Sequence, residues 1–146
     1  MVKIIRKAGL GDLQAVEDFL VAANIGLDGL DEVIENFLII EENEEMCGTL
    51  GIEIQGDKGL FRSLVVKPEL TSDDLFTLFR EALKIGKEKQ LANLYLVSNK
   101  NSSIQFFHLL GFKEMEHTQS LKELSQFQHA QKLSTVDNCT FMKLTL

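Results

Sequence analysis

The chain has 146 residues, 45% of them hydrophobic, and a formal net charge of −7. That length can bury one proper core, and that composition argues against wholesale disorder. The acidic balance argues against non-specific nucleic-acid binding, which needs clustered Lys and Arg to neutralise phosphates. The apolar run 37–40 is far too short to span a bilayer, and the opening residues lack the long apolar stretch of a secretory signal. A cytoplasmic protein without membrane contact is therefore expected. Cys47 and Cys139 lie far apart without CxxC spacing, so the expectation is two buried thiols and no metal site.

In chain order, strand-like and helix-like patterns alternate, which predicts a mixed α/β domain over 1–146. Residues 3–7 read as a strand. Asp12 can cap a helix running to about Asn24, with Leu13, Val16, Leu20 and Ala23 on one face. Residues 26–29 break it, and 30–36 form a short second helix. Three strands follow, 37–42, 46–54 and 59–66, joined by turns at 42–45 and 55–57. Turns this short make consecutive strands antiparallel.

Thr71 or Ser72 then caps a long helix to about Lys89, with Leu75, Leu78, Phe79, Ala82 and Gly86 as its buried stripe. An apolar strand over 91–97 comes next. The long helix between it and 59–66 predicts that these two strands run parallel and splay apart. Residues 101–110 form an amphipathic helix ended by Gly111, and 112–116 a short strand. Residues 120–133 are glutamine-rich. Leu121, Leu124 and Phe127 recur there at helical spacing, predicting a polar helical lid over a cleft. Residues 139–146 alternate as a last half-buried strand, which is also a place where two copies of the chain could pair.

This order resembles the GNAT (Gcn5-related N-acetyltransferase) fold: α/β (α+β), with a mixed twisted sheet of about six or seven strands flanked by four or five helices. Local sequence strengthens the resemblance. Asn101, with the segment from Ser102 to Phe112, is similar to the family's N-x-x-A-x-x-F-Y-x-x-x-G-F. The run from Phe61 to Pro68 resembles the strand leading into its acetyl-CoA loop. Gly48 to Glu53, Phe61 to Leu64 and the ending Phe141-Met142-Lys143 resemble small acetyltransferases acting on amino acids and their analogues. These include arsinothricin-type resistance enzymes and the acetyltransferase part of N-acetylglutamate synthases.

The resemblance implies an acetyl-CoA-dependent N-acetyltransferase for a small amino-acid-like amine. It would place the cofactor along Leu64, Val65 and Val66, against Thr71, Ser72 and Asp74, and by Asn101 and Phe107. Glu53 is the candidate general base, since a partly desolvated carboxylate suits proton abstraction from an amine. Arg62 either holds a substrate carboxylate in a forked pair or simply pairs with Glu53. The family's Tyr, which protonates the leaving thiolate, is replaced in the pair Phe106-Phe107. Tyr95 and His117 are then the candidate acids.

The chain departs from the family at the cofactor loop. The signature R/Q-x-x-G-x-G/A falls on Thr71, Asp74 and Phe76, with Asp73 beside them. Carboxylates suit the first turn of a helix, and there they would occupy or repel the place a pyrophosphate needs. The alternative function is therefore an inactive GNAT-like binding or regulatory module that has lost this loop.

Overall fold

A computed structural model gives the arrangement of residues 3–98, 101–127 and 139–146, without the side chains of 101 and 102. Its elements run β1 (Lys3–Lys7), α1 (Leu13–Ala22), α2 (Leu30–Val33), β2 (Phe37–Glu42), β3 (Glu45–Gln55), β4 (Lys58–Val66) and α3 (Ser72–Glu88). They continue as β5 (Asn93–Ser98), α4 (Asn101–Leu110), β6 (Lys113–Glu114), α5 (His117–Glu123) and β7 (Thr140–Thr145). The strands form one seven-stranded sheet in the order β1-β2-β3-β4-β5-β7-β6.

The sheet is mixed, as the crossover helix predicts. β1 with β2, β2 with β3, β5 with β7 and β6 with β7 are antiparallel, while β4 and β5 run parallel. The parallel ladder runs from Lys58↔Asn93 to Leu60↔Tyr95, and β4 continues past it to Val66. Two tight turns set the registers. Asn43 and Glu44 adopt φ of +53° and +66° between the paired residues Glu42 and Glu45, the left-handed pair that a twisted two-residue hairpin needs. At the next turn Gly56 supplies a φ of +60°.

Three helices end in the same way, and only one of them uses glycine. Asn24, Gln90 and Gly111 have φ of +60°, +58° and +106°. The next amide in each case reaches back to close the turn: Ile25 to Leu20, Leu91 to Gly86 and Phe112 to Phe107, at 2.9, 2.9 and 3.0 Å. This closure stops α1 at Ala22 and delays β5 to Asn93, against the expected 24 and 91.

The chain packs as two compact units, Met1–Glu53 with Arg62–Ile85, and Ile54–Phe61 with Gly86–Leu146. The core of the first joins Val16 and Leu20 of α1 to Leu30, Ile34, Phe37 and Ile39. Phe37 lies across the strand from Gly51, and its ring would come 2.3 Å from a Cβ placed there, so this position in β3 admits no side chain. The core of the second joins Leu60, Tyr95, Leu124, Phe127 and Phe141. Beside it, Phe107 and Phe61 both pack their rings on Phe112, at centroid distances of 6.2 and 6.0 Å.

Three expectations need correction. The helix expected over 120–133 is α5, which starts at His117 and ends at Glu123; residues 128–133 lie outside the described ones. Leu124 and Phe127 are core residues, so the end of this segment is anchored rather than a loose polar lid, while Leu121 is exposed. The strand expected over 112–116 shrinks to two residues. Pairing of the last strand between copies finds no open edge at Met142 and Lys143, because β7 is paired there by both β5 and β6.

Candidate functional site

The most unusual backbone of the first unit lies in the middle of β4. Ser63 adopts φ +56°, a left-handed conformation that a serine inside a strand takes only when neighbours hold it. They do. The buried hydroxyl of Thr49 on β3 donates to the Ser63 carbonyl at 2.9 Å, and Arg62 Nε donates to Ser63 Oγ at 3.2 Å. Gly59 to Ser63 are all buried in succession, so β4 is covered on both faces up to this bulge.

Arg62 is only 5% exposed. Its Nη1 donates to the carbonyl of Asp28, between α1 and α2, at 2.6 Å. Its Nη2 is buried and has no hydrogen-bond partner. Burial pushes the guanidinium below its ordinary pKa, against the opposing fields of Glu53 and Asp28. Among the described residues no ion pair joins Arg62 to Glu53, so of the two expected roles simple pairing is not seen. The expected fork is narrowed as well, because Nε and Nη1 are both engaged. Glu53, on β3, is half-buried. Desolvation raises its pKa, the positive field of Arg62 opposes that, and Glu32 adds to it. The result is a carboxylate with increased proton affinity beside a buried cation lacking a full set of partners.

The start of α3 is closed. Thr71 Oγ1 accepts from the Asp74 amide at 3.2 Å, and Asp74 Oδ2 accepts from the Thr71 amide at 2.8 Å, a reciprocal cap. Lys3 of β1 adds an ion pair to the same Oδ2 at 2.8 Å. The hydrogen bond from Lys3 and that from the Thr71 amide hold the Asp74 carboxyl below its ordinary pKa. Two amides that a pyrophosphate would use are therefore taken by the chain itself, and this end does not fit that group as it stands. Along β4, Leu64 is 38% exposed and Val65 and Val66 are half-buried, which leaves apolar surface for a ligand's chain. Ser72 is exposed in the first turn of α3.

In the second unit, Tyr95 is fully buried and its hydroxyl donates to Glu123 Oε1 at 2.7 Å. Lys143 Nζ donates to the same oxygen at 2.6 Å, and Lys58 Nζ donates to the Glu123 carbonyl at 2.9 Å. Burial and then Glu123 push the Tyr95 pKa far up, so its proton is committed to this network. Phe107 is 6% exposed and serves the aromatic cluster. His117 opens α5, exposed, with its ring tilted on Phe141 at 6.4 Å. Asn101 opens α4.

Glu53 and Arg62 thus fall in one unit with Thr71, Ser72 and Asp74, and Tyr95, Phe107 and His117 in the other. Sequence reasoning missed Thr49, Ser63, Lys3 and Glu123. The signal for the first two was there: Thr49 and the pair Arg62-Ser63 are polar residues interrupting otherwise apolar strands. Among the described residues no group of His, Cys, Asp and Glu could hold a metal ion, and no helix is long and apolar enough to cross a membrane. Cys47 is a buried free thiol, and Cys139 is half-buried rather than buried as expected.

No protein-family model matches the chain. It is 33% identical over 141 residues to the uncharacterized protein YwlB of Bacillus subtilis (strain 168), covering 95% of both chains. Among solved structures it resembles N-acetylglutamate synthase from Neisseria gonorrhoeae complexed with coenzyme A and N-acetyl-glutamate, with TM-score 0.77 and 18% identity. That match covers all of this chain but spans only 35% of the synthase. It also resembles the PaiA N-acetyltransferase from Thermoplasma acidophilum in complex with coenzyme A, with TM-score 0.70, 20% identity and full coverage of both chains. The chain therefore belongs to the family of YwlB, and its fold is the GNAT fold of these acetyltransferases.

Proposed function

We propose that this protein is an acetyl-CoA-dependent N-acetyltransferase acting on the amine of a small, amino-acid-like molecule. The observation that carries this reading is Glu53, a half-buried carboxylate whose proton affinity is raised by desolvation, on the strand next to the bulged β4. The GNAT fold supports it, as does the coenzyme A bound by both structural neighbours. The synthase neighbour, which carries N-acetyl-glutamate, supports the amino-acid-like acceptor.

Bound acetyl-CoA would supply an acetyl thioester. The chain's own part is to hold the amine and take its proton. Glu53 accepts that proton, through a water, so that the neutral amine is the nucleophile. Leu64, Val65 and Val66 align the pantetheine arm, and a backbone amide near Leu64 or Val66 meets the charge that develops on the carbonyl oxygen. The closed start of α3 weakens the grip on the pyrophosphate, so cofactor affinity is low. Tyr95 holds its proton too tightly to act as acid, so solvent protonates the leaving thiolate.

The test incubates the protein with acetyl-CoA and a panel of amino acids, following thiol release and the mass of the product. Amine-dependent thiol release is expected, with a melting temperature raised by coenzyme A. A ligand at 100 times its Kd adds about 2.7 kcal/mol. The absence of both thiol release and a melting shift at millimolar coenzyme A would overturn the proposal.

A further inference from the structure

The buried hydroxyl of Thr49 has a use that reaches beyond β3. Thr49 is 0% exposed and carries the only hydroxyl in the buried run 47–52 of that strand. A valine has nearly the same shape, and burying a hydroxyl costs free energy unless it is hydrogen-bonded. This one donates to the Ser63 carbonyl at 2.9 Å. That carbonyl belongs to the residue at φ +56°, a conformation that serine holds only at a cost. It is also one end of a rigid unit. The Ser63–Leu64 peptide is planar and trans, so the Ser63 C=O and the Leu64 N–H point in opposite directions across it. Holding the oxygen towards β3 therefore aims the Leu64 amide away from Thr49. Leu64 is where the buried run 59–63 ends and β4 emerges at the surface. By then β4 has passed the end of its ladder with β5, which stops at Leu60.

We propose that Thr49 is a positioning residue for acetyl transfer. Its hydroxyl, by holding the Ser63 carbonyl, fixes the direction of the Leu64 amide, and that amide is the donor for the charge that develops on the thioester carbonyl oxygen. Fully buried, Thr49 reaches neither cofactor nor amine itself and acts through one peptide plane. A donor of this kind is effective because it is aimed before the reaction starts, and losing one costs about 10²–10³-fold in kcat. The proposal rests on the acetyltransferase reading for the charge that is met, but not for the hold on the peptide.

The test is a double-mutant cycle read in two ways. Thr49→Val should lower kcat about 10- to 100-fold and leave the KM for the amine little changed, because the lost interaction is made only in the transition state. Thr49→Ser, which keeps the hydroxyl, should restore most of the rate. Glycine takes the left-handed conformation without the cost, so in a Ser63→Gly background the same Thr49→Val change should lower kcat by roughly threefold at most. A void or a lost packing contact at Thr49 would instead cost the same in both backgrounds. Amide NMR of the free protein gives the second readout: Thr49→Val should move the Leu64 amide resonance strongly when Ser63 is present and less when glycine replaces it. Full kcat in Thr49→Val, equal losses in the two backgrounds, or an unmoved Leu64 amide each overturn the proposal. Should Thr49→Val fail to fold, Thr49→Ser and Thr49→Ala replace it, since both lack the methyl group and differ only in the hydroxyl; equal kcat in these two overturns the proposal. The NMR measurement needs no cofactor, so a wild type without acetyl transfer that still shows the amide shift would sink the acetyltransferase reading while the hold of Thr49 on this amide stands.

Discussion

Glu53 and Glu123 are the same carboxylate in two polar clusters, and their pKa values move in opposite directions. Around Glu53 burial dominates, the nearby cation makes no bond to it, and the pKa rises. Around Glu123 burial also pushes the pKa up, but hydrogen bonds from Lys143, Tyr95 and Gln119 together outweigh it and the pKa falls. The closed cluster ties α5 to β4, β5 and β7 through Lys58, Tyr95 and Lys143. The open one ties down a bulge and a loop and leaves proton affinity and a donor unused. A satisfied network holds a fold together, whereas an unsatisfied one is where a ligand can still gain something.

The largest expected effect comes from removing the open carboxylate. Glu53→Gln should lower kcat by about 10²–10⁴-fold, the usual loss of a general base. Its effect on stability should have the opposite sign. A folded-state pKa above the unfolded one gives stability that is present below the ordinary carboxylate range and lost as pH rises through the raised value. The variant escapes that loss, so at neutral pH it should melt no lower than the wild type. A variant with full activity, or one that melts well below wild type, would make Glu53 part of the scaffold.

The closed cluster should respond the other way. Tyr95→Phe removes a hydrogen bond to a charged group, worth about 1.5–3 kcal/mol. For a chain of this size that is roughly 3–12 °C in melting temperature. Acetyl transfer per folded molecule should stay near wild type. Glu123→Gln should remove stability that the wild type has above the ordinary carboxylate range and loses as pH falls through the lowered pKa of Glu123. Its melting temperature should therefore approach that of wild type on acidification. Loss of activity without loss of stability in Tyr95→Phe would move Tyr95 into the chemistry.

The contrast between the clusters also explains what the sequence could disclose. The parallel β4 and β5 followed from the length of the intervening helix, and the hairpins from turn residues, because both are local or set by chain geometry. Glu53 and Arg62 were legible as polar residues in apolar strands. The bulge at Ser63 was not, since the Thr49 hydroxyl that holds it comes from another strand. Glu123 looked like any glutamate of a polar helix, because its partners Tyr95 and Lys143 stand 28 and 20 residues away. The end of α5 was missed for a related reason: Leu121, Leu124 and Phe127 keep helical spacing, but only the last two enter the core, and they do so after the helix has ended.

The smallest effect concerns the start of α3, where the Asp74 carboxylate belongs to both kinds of cluster at once. It completes a cap with Thr71 and an ion pair with Lys3, yet on the proposed acetyl-CoA reading it stands at the helix end that would meet a pyrophosphate. Replacing it with glycine would remove the cap together with the charge and confuse the two effects. Asp74→Asn separates them, because the amide oxygen still accepts from the Thr71 N–H while the negative charge is gone. Two unit charges about 4 Å apart in water repel by about 1 kcal/mol, so affinity for coenzyme A should rise by roughly fivefold. The Debye length falls from about 10 Å at 0.1 M salt to about 3 Å at 1 M, so most of that gain should vanish at the higher salt. Lys3→Ala should weaken binding, since it leaves Asp74 uncompensated and removes a cation from the same place. Calorimetric titration of both variants checks the pair. If Asp74→Asn leaves coenzyme A affinity unchanged at low salt, Asp74 is a helix cap and nothing more, and the cofactor's phosphates lie elsewhere on the chain.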